Sequence, residues 1–258
     1  MSLFASKSGS RMQPLLDKVA VIDDEAAHDK LVKQLAQPAA PTILSFVNAH
    51  GFNLGWQNAD IRRRFTEANV LLRDGIGMKV LFKLLGREPG LNMNGTDFIP
   101  ELLAKTAGQR VALFGTSDDV LGRAGKVLAA DGVAIAGTLN GFLPVDAYID
   151  RFNKLQPDIV VLAMGMPRQE QVAEVLAKAA VKPCLIINGG AILDFVGGKV
   201  TRAPGLFRKS GMEWLWRLMQ EPRRLFKRYV VGNIVFLARA VQMLLEGAHH
   251  SASTTGAR

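Results

Sequence analysis

The sequence predicts a doubly wound α/β domain on a mostly parallel sheet, followed by a basic amphipathic helical appendage at the C-terminal end. Three observations predict it. Apolar runs of strand length alternate with segments of helical period over about the first 200 residues. The ends of those runs carry glycine and small polar residues. The positive charge is concentrated near the C-terminus rather than spread. A length of 258 residues suits one large domain with an appendage. A composition 48% hydrophobic and 21% charged excludes a disordered or fibrous chain. A single cysteine, Cys184, excludes an internal disulfide framework and a multi-cysteine zinc site.

Taken in order, residues 19–22 form a short apolar run before a polar helix over 24–35. Pro41 introduces a β-rich run at 42–47, and further strands are read at 69–72, 110–114, 133–136, 158–163 and 184–187. Helical patterns occupy 59–68, 77–85, 97–107, 118–130, 146–155 and 168–180, with Thr96 and Ser117 as caps before Asp97 and Asp118. Strands that are apolar throughout, alternating with helices, mean a parallel sheet covered on both faces. The domain division that follows is a flexible extension over 1–18, an α/β core over 19–198, a membrane-associating appendage over 199–246 and a disordered tail over 247–258. The first 14 residues are polar and do not read as a signal peptide. The apolar run at 229–238 stops at Arg239, short of the roughly 20 residues a spanning helix needs.

Ligands of such sheets bind beyond the carboxyl ends of the strands. There the sequence places Asn48-Ala49-His50-Gly51, Arg73-Asp74-Gly75-Ile76-Gly77, Gly115-Thr116, Gly165-Met166-Pro167-Arg168-Gln169-Glu170 and Asn188-Gly189-Gly190. Each loop alone is weak, and none is a Walker loop or a G-x-G-x-x-G dinucleotide fingerprint. Together on one edge they point to a cleft for a nucleotide-like anion, which glycine lets approach the backbone.

Asp74 has two readings here, a general base on a hydroxyl or a cap on the helix that follows. Asp194, after the Gly189-Gly190 loop, is a second acidic candidate. Gln169 and Glu170 start a helix after Pro167, and a Gln amide there suits sugar hydroxyls or a uracil edge. His50 could assist. No Asp-x-Asp pair lies at a strand end, and Cys184 and the four histidines show no ligand spacing, so no metal site is expected. A departing diphosphate would then need helix N-termini and Arg or Lys to meet its charge.

Residues 199–239 hold ten Lys or Arg against Glu213 and Glu221, a net of +8 out of +9 for the whole chain. Trp214, Leu215, Leu218 and Met219 form an apolar side of a short helix, Pro222 interrupts it, and Arg223 to Tyr229 mix charge with apolar anchors. This is the profile of an interfacial element that seeks phosphate or an anionic bilayer.

The ordered set Val47-Asn48-Ala49-His50, Arg73-Asp74-Gly75-Ile76-Gly77, Asn94-Gly95-Thr96-Asp97, Gly165 to Glu170, Asn188-Gly189-Gly190 and Gly198 to Pro204, closing with Gly211 to Leu218 and Glu221-Pro222-Arg223-Arg224, resembles the WecG/TagA/CpsF family of bacterial glycosyltransferases. The resemblance implies a Rossmann-like, inverting transferase that needs no metal or other cofactor. It implies a hexose or N-acetylhexosamine moved from a UDP-sugar to a polyprenyl-diphosphate-linked saccharide, at the cytoplasmic face of the inner membrane, in teichoic-acid, capsule or exopolysaccharide assembly. It makes Asp74 the base and places Arg217 and Arg224 at the diphosphate, with Lys227 and Arg228 beside them. Asn48, His50, Asn94, Gly115, Thr116, Gly165, Pro167, Gln169, Glu170, Asn188, Gly189, Gly190 and Asp194 are then expected to line the substrates. Phe46 stands where some members carry a threonine.

Two rivals remain at this stage. A nucleotide-sugar oxidoreductase or epimerase would need the missing fingerprint and an acid about 20 residues on. A nucleic-acid-binding module would spread its charge over a reading surface, whereas here it sits among Trp and Leu. The expected partners are the UDP-sugar, the lipid-linked saccharide and an anionic membrane surface, with no nucleic acid; a homo-oligomer is left open.

Overall fold

In the computed structural model, which describes residues 10–209 and 211–255, seven strands form one sheet: β1 (Val19–Ala20), β2 (Thr42–Val47), β3 (Val70–Arg73), β4 (Arg110–Gly115), β5 (Ala134–Asn140), β6 (Ile159–Ala163) and β7 (Leu185–Asn188). Every pairing is parallel, in the order β1-β3-β2-β7-β6-β4-β5. The central strands are buried on both faces, as their unbroken apolar runs require; Val160, Val161 and Leu162 of β6 are fully enclosed.

The helices are α1 (Gln13–Lys18), α2 (Glu25–Ala36), α3 (Ala49–Gln57), α4 (Ala59–Glu67), α5 (Gly75–Leu84), α6 (Gly95–Ala104), α7 (Asp118–Ala130), α8 (Val145–Leu155), α9 (Arg168–Ala179) and α10 (Ile192–Val196). They cover both faces of the sheet. One face packs α2, α6, α7 and α10 around Leu44, Leu113, Val161 and Ile187. On the other, α1, α3, α4 and α5 enclose Val47, Phe52, Phe65 and Leu71, while α8 and α9 enclose Phe114, Val160 and Ile186. This is the doubly wound arrangement the sequence predicts. β2 and β7 lie side by side; the chain leaves β2 toward β3 on one side, and β4 to β7 fill the other. That reversal of direction opens a crevice at the carboxyl ends, the usual binding place of such sheets.

Three expectations change. Met12 and Leu15 are fully buried and Leu16 nearly so, so the stretch from Met12 through α1 belongs to the packed body rather than to a flexible extension. Residues 49–57 form a helix instead of a loop, because Asn48 caps it: its Oδ1 accepts from the His50 and Gly51 N–H groups, each at 3.1 Å. The C-terminal appendage is also packed against the domain, which its sequence does not show. It continues as α11 (Gly205–Lys209), α12 (Glu213–Gln220), α13 (Pro222–Phe226), a π-helical turn at Lys227–Val231 and α14 (Gly232–Thr255). Phe236, Ala240 and Met243 of α14 share a core with Phe52 and Met78, and the Phe236 and Phe52 rings meet edge to face at 5.3 Å. Asn53 Nδ2 donates to Gly232 O at 2.7 Å, and Arg239 Nη1 donates to Asn53 O and Oδ1 at 3.0 and 2.8 Å.

The helical run Pro222–Glu246, 25 residues of mean hydropathy 1.4, is long and apolar enough to cross a membrane by length and composition. Counting only up to Arg239 hides this. One side of the run is docked on the domain, while Phe226, Ile234, Leu237, Val241 and Leu245 are exposed. The side chains of the tail read as disordered over 247–258 lie outside the described residues, although helix continues to Thr255.

Candidate active site

Asp74 follows β3 immediately, and its N–H bonds Val47 O at 2.9 Å, so the backbone ties the two strand ends together. It stands at the N-cap of α5, yet its side chain makes no capping bond. Instead Asp74 Oδ2 accepts from Asn48 Nδ2 at 3.4 Å. Asn48 is thereby divided: its oxygen caps α3 and its nitrogen turns to the carboxylate. The cap reading of Asp74 is thus unmet by its side chain. Burial pushes the Asp74 carboxyl above the ordinary carboxylate range, opposed by the Asn48 bond and by Arg228 and Arg73.

Asp74 is placed from below by a residue that sequence reasoning treats only as its neighbour. Arg73, 2% exposed, donates to Pro89 O and Leu91 O at 2.8 Å and to Gly75 O and Gly90 O at 3.1 Å. It therefore staples the segment after α5 beneath the first turn of α5. Asn92 Oδ1 completes the staple by accepting from Gly75 N at 3.1 Å.

One cation of the C-terminal helices, Arg228, acts on Asp74. Arg228 lies in the π-helical turn; burial is the main cause holding its guanidinium below the usual range, and its electrostatic neighbours include Asp74, Arg217 and Arg224. Such turns occur often at functional sites. The buried Nε atoms of Arg228 and of Arg217 have no hydrogen-bond partner among the described residues. Arg217 stacks over Phe195 of α10 at 4.9 Å and approaches Glu221 at 3.5 Å; Arg224 also pairs with Glu221. Lys227 is exposed. His50 adjoins the same cluster. Burial, then Arg228, lowers its pKa to about 4, so it is a neutral imidazole.

The other half of the edge is made of glycine loops. A side chain at Gly115, where φ is +152°, would meet the Ala163 backbone at 2.4 Å, so β4 and β6 end in a close approach only glycine permits. Thr116 Oγ1 donates to Asp194 Oδ1 at 2.6 Å, and Lys199 Nζ lies 3.5 Å from the same oxygen. Gly165 and Gly190 have positive φ. Gln169 is 1% exposed: its Oε1 accepts from Gly190 N and its Nε2 donates to Glu170 Oε1, both at 2.9 Å. The Gln169 amide thus fixes the Asn188-Gly189-Gly190 loop, where the sequence reading expected it to meet a sugar. Pro167 precedes α9, and Gly165 O accepts the Gln169 N–H at 3.1 Å. Asn188 is itself buried and donates to Ser45 Oγ at 2.7 Å; Ser45 is missed by the sequence reading, its one signal being a hydroxyl within an apolar strand. Burial pushes the Glu170 carboxyl up to about 7.

Asn94 caps α6, accepting from Asp97 N at 3.0 Å and donating to Asp97 Oδ2 at 2.8 Å. Phe46 is 4% exposed and packs on Phe98, which places its ring in the core below the site. Among the described residues no three His, Cys, Asp or Glu side chains gather as metal ligands do.

Residues 15–250 match the glycosyl transferase WecG/TagA/CpsF family. The chain belongs to that family. Two relatives are both N-acetylglucosaminyldiphosphoundecaprenol N-acetyl-beta-D-mannosaminyltransferases. The Bacillus spizizenii enzyme is 29% identical over 173 residues, covering 65% of this chain and 67% of its own. The Bacillus subtilis enzyme is 26% identical over 201 residues, covering 76% and 78%. Membership makes the chain a glycosyltransferase. The family match spans both the glycine loops of the sheet and the arginines of α12 and the π-helical turn, so the two halves of this edge belong to one transferase.

Proposed function

We propose that this glycosyltransferase moves a hexose or N-acetylhexosamine from a UDP-sugar to a polyprenyl-diphosphate-linked saccharide, with inversion, for a cell-envelope polymer. The observation that carries the proposal is Asp74: a carboxylate at the crevice, making no capping bond, held by Asn48 and within the electrostatic reach of Arg228. Asp74 takes the proton from the acceptor hydroxyl as that oxygen attacks the anomeric carbon, and its raised affinity for the proton suits a general base. The bond to the donor phosphate breaks on the opposite side, which inverts the configuration. Arg217 and Arg228, with unspent N–H groups, meet the charge of the departing diphosphate, and Arg224 adds to the field. The Gly115–Thr116 and Gly189–Gly190 loops offer backbone to the nucleotide. With cations in that position the reaction is expected to proceed without a metal.

The acceptor class follows the two relatives, whose names specify an undecaprenol-diphosphate-linked N-acetylglucosamine. A lipid-linked acceptor also accounts for the exposed apolar side of α14, which we read as resting on the cytoplasmic face of the inner membrane. The test is a panel of UDP-sugars offered to the membrane-bound protein with polyprenyl-diphosphate-linked N-acetylglucosamine and longer saccharides. Transfer from one donor to a lipid-linked acceptor supports the reading. Transfer only to water-soluble acceptors, or only from donors other than UDP-sugars, refutes it.

A further inference from the structure

Away from the crevice, two arginines converge on one indole and a third bonds the backbone beside it. Arg11, just before α1, sits 5.4 Å from the centre of the Trp56 ring, and Arg239 of α14 sits 5.6 Å from the same centre. Arg62 of α4 donates to Gly55 O at 2.9 Å, the carbonyl of the residue before Trp56. Its neighbours in sequence behave differently: Arg63 and Arg64 are both paired with Asp60 and Glu174. No carboxylate pairs with Arg11, Arg62 or Arg239 among the described residues. Burial, and then the nearness of Arg11, holds the Arg239 guanidinium below its usual range, a sign that the two cations repel.

Uncompensated guanidinium groups around an aromatic ring suit a phosphate, which their planar forks bind in pairs. Its source is indicated by α14 itself. The helix that carries Arg239 exposes Ile234, Leu237 and Val241 along one side, and Trp56 is of the type that favours a bilayer interface. We propose that Arg11 and Arg239 at Trp56, with Arg62 at the adjoining Gly55 carbonyl, form a second phosphate site, separate from the catalytic crevice, which binds the headgroup of an anionic phospholipid and fixes how the domain sits on the membrane. The inference rests on the reading that α14 lies against a bilayer.

The test is flotation of the full chain with phosphatidylcholine vesicles, with and without phosphatidylglycerol, in the absence of donor and acceptor. Arg11→Gln and Arg62→Gln should each weaken binding to the anionic vesicles about fivefold and leave binding to neutral vesicles unchanged. Arg11→Lys should keep most of the affinity. Lys126→Gln, an equal loss of charge on exposed α7, should have no effect. Arg11 is exposed, so its variants are expected to fold, and an unchanged melting curve confirms it. Wild-type binding by both Gln variants, or an equal loss in Lys126→Gln, overturns the site. Saturation of the site by free glycerol phosphate as tightly as by vesicles overturns the lipid source. The pattern appearing in a chain that transfers no sugar leaves this site standing and refutes only the proposed reaction.

Discussion

Replacing Glu170 by Gln should stabilise the protein in alkaline solution and leave it unchanged in acid. Glu170 is 3% exposed, and burial raises its pKa from 4.5 to about 7. The folded protein therefore holds a proton that the unfolded chain releases near pH 4.5, and stability falls as pH rises through the window from about 4.5 to about 7. At 1.36 kcal/mol per pKa unit, the full cost above that window is about 3 kcal/mol. Gln copies the shape of the protonated acid and still offers an oxygen to Gln169 Nε2, as Glu170 Oε1 does. Urea unfolding at pH 5 and pH 9 measures it: the variant should exceed wild type by less than about 1 kcal/mol at pH 5 and by about 3 kcal/mol at pH 9. The comparison must be a difference between proteins. His50, lowered from 6.5 to about 4, contributes the opposite slope, with stability lost as pH falls through that range. An equal increment at both pH values, or a variant less stable at pH 9, would refute the reasoning.

Arg73→Met should cost about 3 kcal/mol or more, because it strands the Pro89, Gly90 and Leu91 carbonyls in the interior, and a drop of less than 1 kcal/mol by urea unfolding would show the staple is dispensable. Arg228→Met should lower turnover about 100-fold with vesicle binding nearly unchanged, measured by transfer and flotation on one preparation. Treatment with EDTA should leave the transfer rate within about twofold, since arginines meet the leaving charge; a strict requirement for Mg²⁺ or Mn²⁺ would contradict that assignment.

The sheet was legible because its physics is local. Runs such as Val160–Val161–Leu162 must be buried on both faces. The caps were less legible: Ser117 stands at the N-cap of α7 without a side-chain bond, and Thr96 lies inside α6, which Asn94 caps. The edge carrying the site was legible for the same reason, since it follows from strand direction. Helix α3 was not, because Gly51 and Gly55 lower its helical preference, and the Asn48 cap together with burial of Phe52 offsets that. The docking of α14 was hidden likewise. Its buried Phe236, Ala240 and Met243 and its exposed Ile234, Leu237 and Val241 are alike in hydropathy, so no periodic contrast distinguishes the side that meets the protein. Individual roles in the crevice were the least legible. Gln169 and Asn94 lie at the correct edge, but whether an amide meets a ligand or its own backbone depends on distances that spacing does not encode.

Asp74 carries the proposed chemistry. The decisive measurement is the rate of sugar transfer from the UDP-sugar to the lipid-linked acceptor by Asp74→Asn, alongside donor binding by the same protein. Asn preserves the size of the side chain and removes its capacity to take a proton, so turnover should fall about 10²–10⁴-fold while donor binding and the melting curve stay as in wild type. A folded Asp74→Asn protein that transfers sugar within about tenfold of the wild-type rate would contradict the central claim.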